Sequence, residues 1–117
     1  MTDQNETMES APGHSGQARF AIGEVIEHQR FGYRGVIVDV DPGFQGTDDW
    51  YDSVALSRPP KDEPWYHVLP HDAEHQTYVA ERNLVSDASG KTIIHPLIEV
   101  YFSKFVEGRY FSDTPVH

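Results

Sequence analysis

Between residues 20 and 85 the apolar positions come in short bursts separated by glycine, proline and charged residues, a pattern that suits strands rather than helices. Val25 and Ile26 lie between Glu24 and Glu27, and Phe31-Gly32-Tyr33-Arg34-Gly35 turns into the run Val36-Ile37-Val38-Asp39-Val40. Three β-branched residues in succession, closed by Asp41-Pro42-Gly43, predict a strand. On it Val36, Val38 and Val40 share one face, expected to point inward, while Ile37 and Asp39 share the other. Gly32 and Gly35 suit a tight turn or a close backbone approach. Two further strands are expected at Trp65-Tyr66-His67-Val68-Leu69, between Pro64 and Pro70, and at Gln76-Thr77-Tyr78-Val79-Ala80. The polar stretch 71–75 joins them as a hairpin. Residues 81–83 make a corner, and Leu84-Val85 a last short strand. The expected fold is mainly β, a small five-stranded barrel over residues 19–90, because closing the sheet protects its edges.

Three segments depart from this pattern. Residues 1–18 are rich in Ser, Thr, Gly, Gln and Glu, with no large apolar side chain besides two methionines, and are expected to be a disordered tail. Residues 43–64 form a long excursion carrying Asp48, Asp49, Asp52, Asp62, Glu63 and the Pro59-Pro60 pair, with one helical turn expected at 53–57. In the C-terminal extension, residues 91–117, apolar residues fall at Leu97, Ile98, Tyr101, Phe102 and Phe105, the spacing of one helical face. Pro96 fits a first helical turn and Gly108 a C′ position, so an amphipathic helix is expected over residues 96–107, docked on the barrel.

Composition narrows the class. At 117 residues there is room for one domain, and the absence of cysteine excludes disulfides, thiolate zinc sites and a cysteine nucleophile. The first residues lack the basic start and apolar run of a signal peptide, and no stretch reaches membrane-spanning length, so a cytoplasmic location away from membranes is expected. Nineteen acids against nine bases give a net charge of −10. Residues 19–112 hold fifteen of the acids and all nine bases, which leaves that part at −6. Such a charge opposes non-specific attraction to a phosphate backbone.

Chemistry-bearing patterns are weak. His67, His71 and His75 recur every four residues, but Pro70 and the β-rich flanks exclude the helix that would align them as metal ligands. Asp39, Asp41, Asp48, Asp49 and Asp52 lack a calcium-loop pattern, with Phe44 where the turn glycine belongs and Trp50 where the closing glutamate belongs. No nucleophile elbow, phosphate-cradling loop or zinc-protease helix occurs, so neither catalysis nor a cofactor or metal is expected. What remains is aromatic. Tyr33, Trp65, Tyr66 and Tyr78 lie on or beside strands near Arg30, Arg34 and Arg82, and exposed aromatics with interleaved arginines can stack bases or anchor a peptide. Trp65 is assigned to the core, whereas Tyr33 and Tyr66 fit either role. The candidate macromolecule-binding residues are Arg30, Tyr33, Arg34, Tyr66 and Arg82.

The segments FAIGEVIEHQRFGYRGVIVDVDPGF (20–44), PWYHVL (64–69) and TYVAERNL (77–84), in this order and spacing, resemble the YccV-like, or hemimethylated-DNA-binding, domain of the HspQ heat shock family. The stretch HPLIEVYFSKFVEGRYF (95–111) is similar to a tail found in a subset of such proteins. The resemblance implies an SH3-like barrel and two kinds of activity. One is modulation of the Lon protease as a specificity-enhancing factor in the heat-shock response, with Lon or its substrates as protein partner. The other is binding of hemimethylated DNA near the replication origin. It also implies a small homo-oligomer. The acidic balance ranks the protein-directed activity first.

Overall fold

In the computed structural model, which describes residues 18–55 and 57–113, five strands form one antiparallel sheet. They are β1 (Val25–His28), β2 (Arg34–Asp41), β3 (Trp65–Pro70), β4 (Thr77–Ala80) and β5 (Leu84–Ser86). Their order is β4-β3-β2-β1-β5. The strands match the expected ones closely. The expectation of a tail falls, apart from residue 18, outside the described residues. No helix among the described residues is long and apolar enough to cross a membrane.

The connection between the sheet's two edges dictates its shape. β4 and β5 are the edge strands, yet only the 3-10 turn Glu81–Asn83 separates them. Such a turn advances roughly 2 Å per residue, whereas four strand spacings in a flat sheet would set the edges roughly 19 Å apart. The sheet must therefore curl. Its concave side encloses Ile26, Ile37, Tyr66, Val68, Val79 and Leu84, at least one residue from every strand, with Phe20 closing one end. The Tyr66 hydroxyl donates to Glu81 Oε1 (2.6 Å) and accepts from the Phe20 amide (3.2 Å), which ties the chain ahead of β1 to the 3-10 turn.

The opposite face is buried too, and this corrects the assignment of faces on β2. Ile37 belongs to the interior, while Val36 and Val38 pack with Val25, Leu69, Ile93, Phe102 and Tyr110 in a second cluster. The register slips between Ile37 and Asp39, so that Val40 returns to the interior and Asp39 stays exposed. Reading polar-out alternation here failed because a second layer covers the outer face. That layer is the C-terminal segment.

The segment is not the expected helix over residues 96–107. Only Ile98–Tyr101 is helical (α2), and a hairpin of β6 (Lys104–Val106) and β7 (Arg109–Phe111) follows. Glu107 (φ 51°) and Gly108 (φ 82°) both sit at positive φ, the requirement of a two-residue hairpin turn whose twist matches its strands. Gly108 is thus a turn glycine and not a helix cap. Phe105 and Tyr110 face each other across the hairpin and turn toward the cluster, with ring centroids 4.6 Å apart.

Gly23 joins the two layers. Its amide donates to the Ile37 carbonyl (2.8 Å) and its carbonyl accepts from the Tyr110 amide (2.9 Å). Its φ is +95°, and a Cβ there would collide with the Tyr110 carbonyl oxygen, so only glycine fits. The expectation that the C-terminal segment docks on the sheet holds, by a different element.

The long excursion also gains structure. α1 spans Asp48–Val54, earlier than the turn expected at 53–57, because Thr47 accepts the Trp50 amide (3.1 Å) as an N-cap, with Asp48 and Asp49 in the first turn. It seats Tyr51 against Trp65 and Ala80 in a third cluster, with Phe44, Trp50 and Tyr78 around it.

If the C-terminal segment is core, Phe102→Ala removes an aromatic ring from beneath the sheet. A loss of about 3 kcal/mol or more is expected, a large share of a small domain's stability. Chemical denaturation checks this: an unchanged midpoint would show that the segment merely rests on the surface.

Candidate functional site

A cleft of about 390 Å³ opens between α1, the edge strand β4 and the turn linking β1 to β2. That volume lies within the range of ligand sites. One wall is the turn, built around His28. Its Nδ1 accepts the amides of Arg30 (3.1 Å) and Phe31 (3.2 Å), and the Gly32 amide bonds the His28 carbonyl (2.8 Å). Gly32 supplies the positive φ (74°) that the tight turn needs. Accepting at Nδ1 places the ring proton on Nε2 and keeps the imidazole neutral. The rings of Phe31 and Tyr33 pack against it at 4.7 and 5.2 Å. Phe31 is nonetheless 70% exposed, an aromatic ring offered to the cleft and to solvent.

The other walls come from α1 and β4. Trp50 and Val54, one helical turn apart, point into the cleft from α1. Across from them lie residues 76–80. Tyr33 is tethered to this wall by a hydroxyl pair with Thr77 (2.8 Å). Burial raises the Tyr33 pKa, and the Thr77 bond opposes this only in part. Tyr78 donates to Asp41 Oδ2 (2.7 Å) and accepts the Gln45 amide (3.0 Å); burial and the Asp41 carboxylate both push its pKa well up, so it stays neutral.

The five residues proposed from sequence do not converge. Arg30 and Tyr33 line the cleft. Arg82 lies nearby, its guanidinium donating to the carbonyl of Ser57 on the lining (2.9 Å). Arg34 is committed elsewhere, bonded to Asp87 (3.1 Å) and to the carbonyls of Lys91 (2.6 Å) and Thr92 (3.3 Å). Burial by itself would raise the Asp87 carboxyl, but hydrogen bonds from Ser89 and Arg34, with the Arg34 charge, hold it below its usual range. Tyr66 is wholly buried in the interior, so the open choice over its role resolves as packing. Trp65 is in the core as expected, though its edge reaches the cleft. Sequence reasoning missed Phe31 and Trp50. The Thr47-Asp48-Asp49 capping signal ahead of Trp50 and Val54 could have found the second.

The three histidines do not assemble into a site. His71 Nδ1 accepts the Ile94 amide (2.9 Å), and the His75 carbonyl bonds the His95 ring (2.9 Å). His67, for which no carboxylate partner was evident in the sequence, has one in Asp41 (3.1 Å). With Asp39 these groups lie within 4.8 Å of one another, close enough to share a cation. Asp41 Oδ2 is bonded by both His67 and Tyr78, and Asp39 Oδ1 accepts the Val40 amide (2.9 Å), so all three side chains are already engaged in hydrogen bonds.

His28 makes the site wall sensitive to pH. Burial, reinforced by the Arg30 charge, lowers its pKa below the ordinary value of 6.5. The unfolded chain then binds a proton more readily than the folded one, so this contribution to stability is present above pH 6.5 and is lost as pH falls through the depressed folded value. The melting temperature is expected to drop between neutral and mildly acidic pH, and to drop less in His28→Asn, which keeps a side-chain acceptor for the turn but cannot titrate. Equal pH profiles for the two proteins would remove His28 from this role.

Residues 18–109, which are 92 of the 117 and include both the five-stranded sheet and the first strand of the C-terminal hairpin, match the family described as hemimethylated DNA-binding protein YccV like. The match spans the turn, the helix and the edge strand that together make the cleft. By this coverage the chain belongs to the YccV-like family.

Proposed function

We propose that this protein is a regulatory binding factor of the HspQ type, which engages a protein partner and enhances the specificity of the Lon protease in the cytoplasmic heat-shock response. On this reading the curled sheet serves as an SH3-like barrel, and the protein acts by binding without catalysing a reaction. The observation that carries it is the aromatic cleft. Phe31, Tyr33, Trp50 and Tyr78 line a concavity on an acidic domain, and clustered aromatics are the side chains that dominate protein recognition.

Binding of hemimethylated DNA is the second reading, favoured by the description of the family. Its electrostatic basis is thin. Arg34 is spent on Asp87 and two carbonyl oxygens, Arg58 pairs with Asp52 (2.9 Å) and Lys61 with Asp48 (3.0 Å). Arg30 and Arg82 remain near the cleft, enough for only a few phosphates and hence a shallow salt slope, about −0.9 per phosphate.

Degradation of a Lon substrate, followed with and without this protein, tests the ranking. Turnover is expected to rise with the wild-type chain and to rise several-fold less with Phe31→Ala, which removes a ring that is 70% exposed. A parallel titration with hemimethylated and fully methylated duplexes is expected to show weak binding with little preference. Unaltered degradation alongside tight, methylation-selective binding would reverse the order.

A further inference from the structure

All five consecutive residues 76–80 line the cleft. Successive side chains of a strand point to opposite faces, so a concavity that touches every residue lies along the strand's edge and not over one face. β4 is an edge strand: it pairs with β3 on one side, and among the described residues none of residues 76–80 has a backbone partner outside that pairing. Unpaired backbone groups of this edge therefore face the cleft at residues 76–78, which are not buried, opposite the apolar side chains of Trp50 and Val54, while Val79 and Ala80 are buried. An unpaired edge beside aromatic side chains is the combination that receives an extended peptide as an added strand.

Charge specifies the occupant further. α1, which forms one wall, carries Asp48, Asp49 and Asp52 and no basic residue. Asp39 and Asp41 lie on β2 beside His67, which lines the cleft from β3, so they are one strand further from β4. Asp39 and Asp49 have no ion-pair partner among the described residues. The lining itself holds one cation, Arg30 on the turn, and no acid among the described residues, so the acids of α1 flank the cleft at its rim.

We propose that the cleft binds an extended polypeptide segment with alternating large apolar residues and flanking lysine or arginine, which adds to β4 as a sixth strand. The proposal rests on the protein-directed reading above and names the mode and chemistry of the partner. Main-chain bonds to β4 supply register, Phe31 and Trp50 take the apolar side chains, and the acids of α1, Asp49 among them, draw in the basic flank.

The chain's own tryptophans report on occupancy, since both Trp50 and Trp65 line the cleft. The full-length protein is titrated with a peptide of alternating Leu, Thr and Phe between paired lysines, and tryptophan emission is followed. Three comparators accompany it: the same core between glutamates, and two versions N-methylated on alternate amides, one for each phase. Saturable binding is expected for the lysine-flanked peptide. It should weaken on the order of tenfold with glutamate flanks, and with one N-methylated phase but not the other, because only one phase of an added strand faces β4. Asp49→Asn, an exposed position on α1, should weaken the lysine peptide several-fold and leave the glutamate peptide unchanged. Equal binding of both N-methylated phases and the parent, indifference to flank charge, or a tryptophan response to duplex DNA with none to peptide would each overturn the proposal. Failure of every peptide while Lon-dependent degradation still responds would overturn this docking mode alone. Phase-selective peptide binding with no effect on Lon would uphold the cleft and overturn the protease reading.

Discussion

Val36, Ile37 and Val38 follow one another along β2 and all three are buried, a condition that a sheet can meet only if both its faces are covered. The curl of the sheet covers Ile37. Nothing in the five strands can cover Val36 and Val38, so the segment from Ile93 to Tyr110 has to return across the outer face. That return passes through Gly23, whose two backbone bonds stitch Ile37 on one side to Tyr110 on the other. Tyr110 then reaches back, its hydroxyl accepting the Ile93 amide (2.8 Å), so that both ends of the returning segment are held. The double burial of one strand thus organises a region that looked like an appendage.

The position of the cleft follows from the same constraint. With both faces of the central strands committed to packing, the surface left for recognition is the side of the curled sheet where β4 ends it. There the excursion after β2 supplies α1, held off from β4 by the Phe44, Tyr51 and Trp65 rings and anchored by the Tyr51 hydroxyl donating to the Pro59 carbonyl (2.6 Å). The turn after β1 supplies the opposing wall, rigid because one imidazole accepts two of its amides. Three separate stretches of sequence converge on a site, while the sheet between them acts as scaffold.

Strands and their order of occurrence were legible because β-branched runs closed by Pro, Gly and Asp carry a local signal. What could not be read were choices made by tertiary context. The residues Leu97, Ile98, Tyr101, Phe102 and Phe105 satisfy a helical period, yet Phe105 and Tyr110 also satisfy the alternation of a hairpin across Glu107-Gly108. The second pattern won because it lays both rings against Val36 and Val38. Faces on β2 were misread for a related reason: polar-out alternation presumes solvent on one side. In the site, Arg30 and Tyr33 were legible as a turn-borne pair, whereas Tyr66 was drawn inward by Glu81 and Phe20, and Arg34 by Asp87, partners far away in sequence.

An open strand edge beside exposed aromatic rings is a hazard as well as a site, since edges of different copies can pair. Two features blunt it here. β4 is only four residues long, which limits the ladder any partner can build. The chain also carries −10, and α1 on the wall facing that edge bears Asp48, Asp49 and Asp52, so a second copy would bring like charge against like. A basic segment meets no such repulsion. The acidity that disfavours a phosphate backbone therefore acts as a filter on the edge itself: it keeps copies of this chain apart there while leaving the edge open to extended segments of opposite charge.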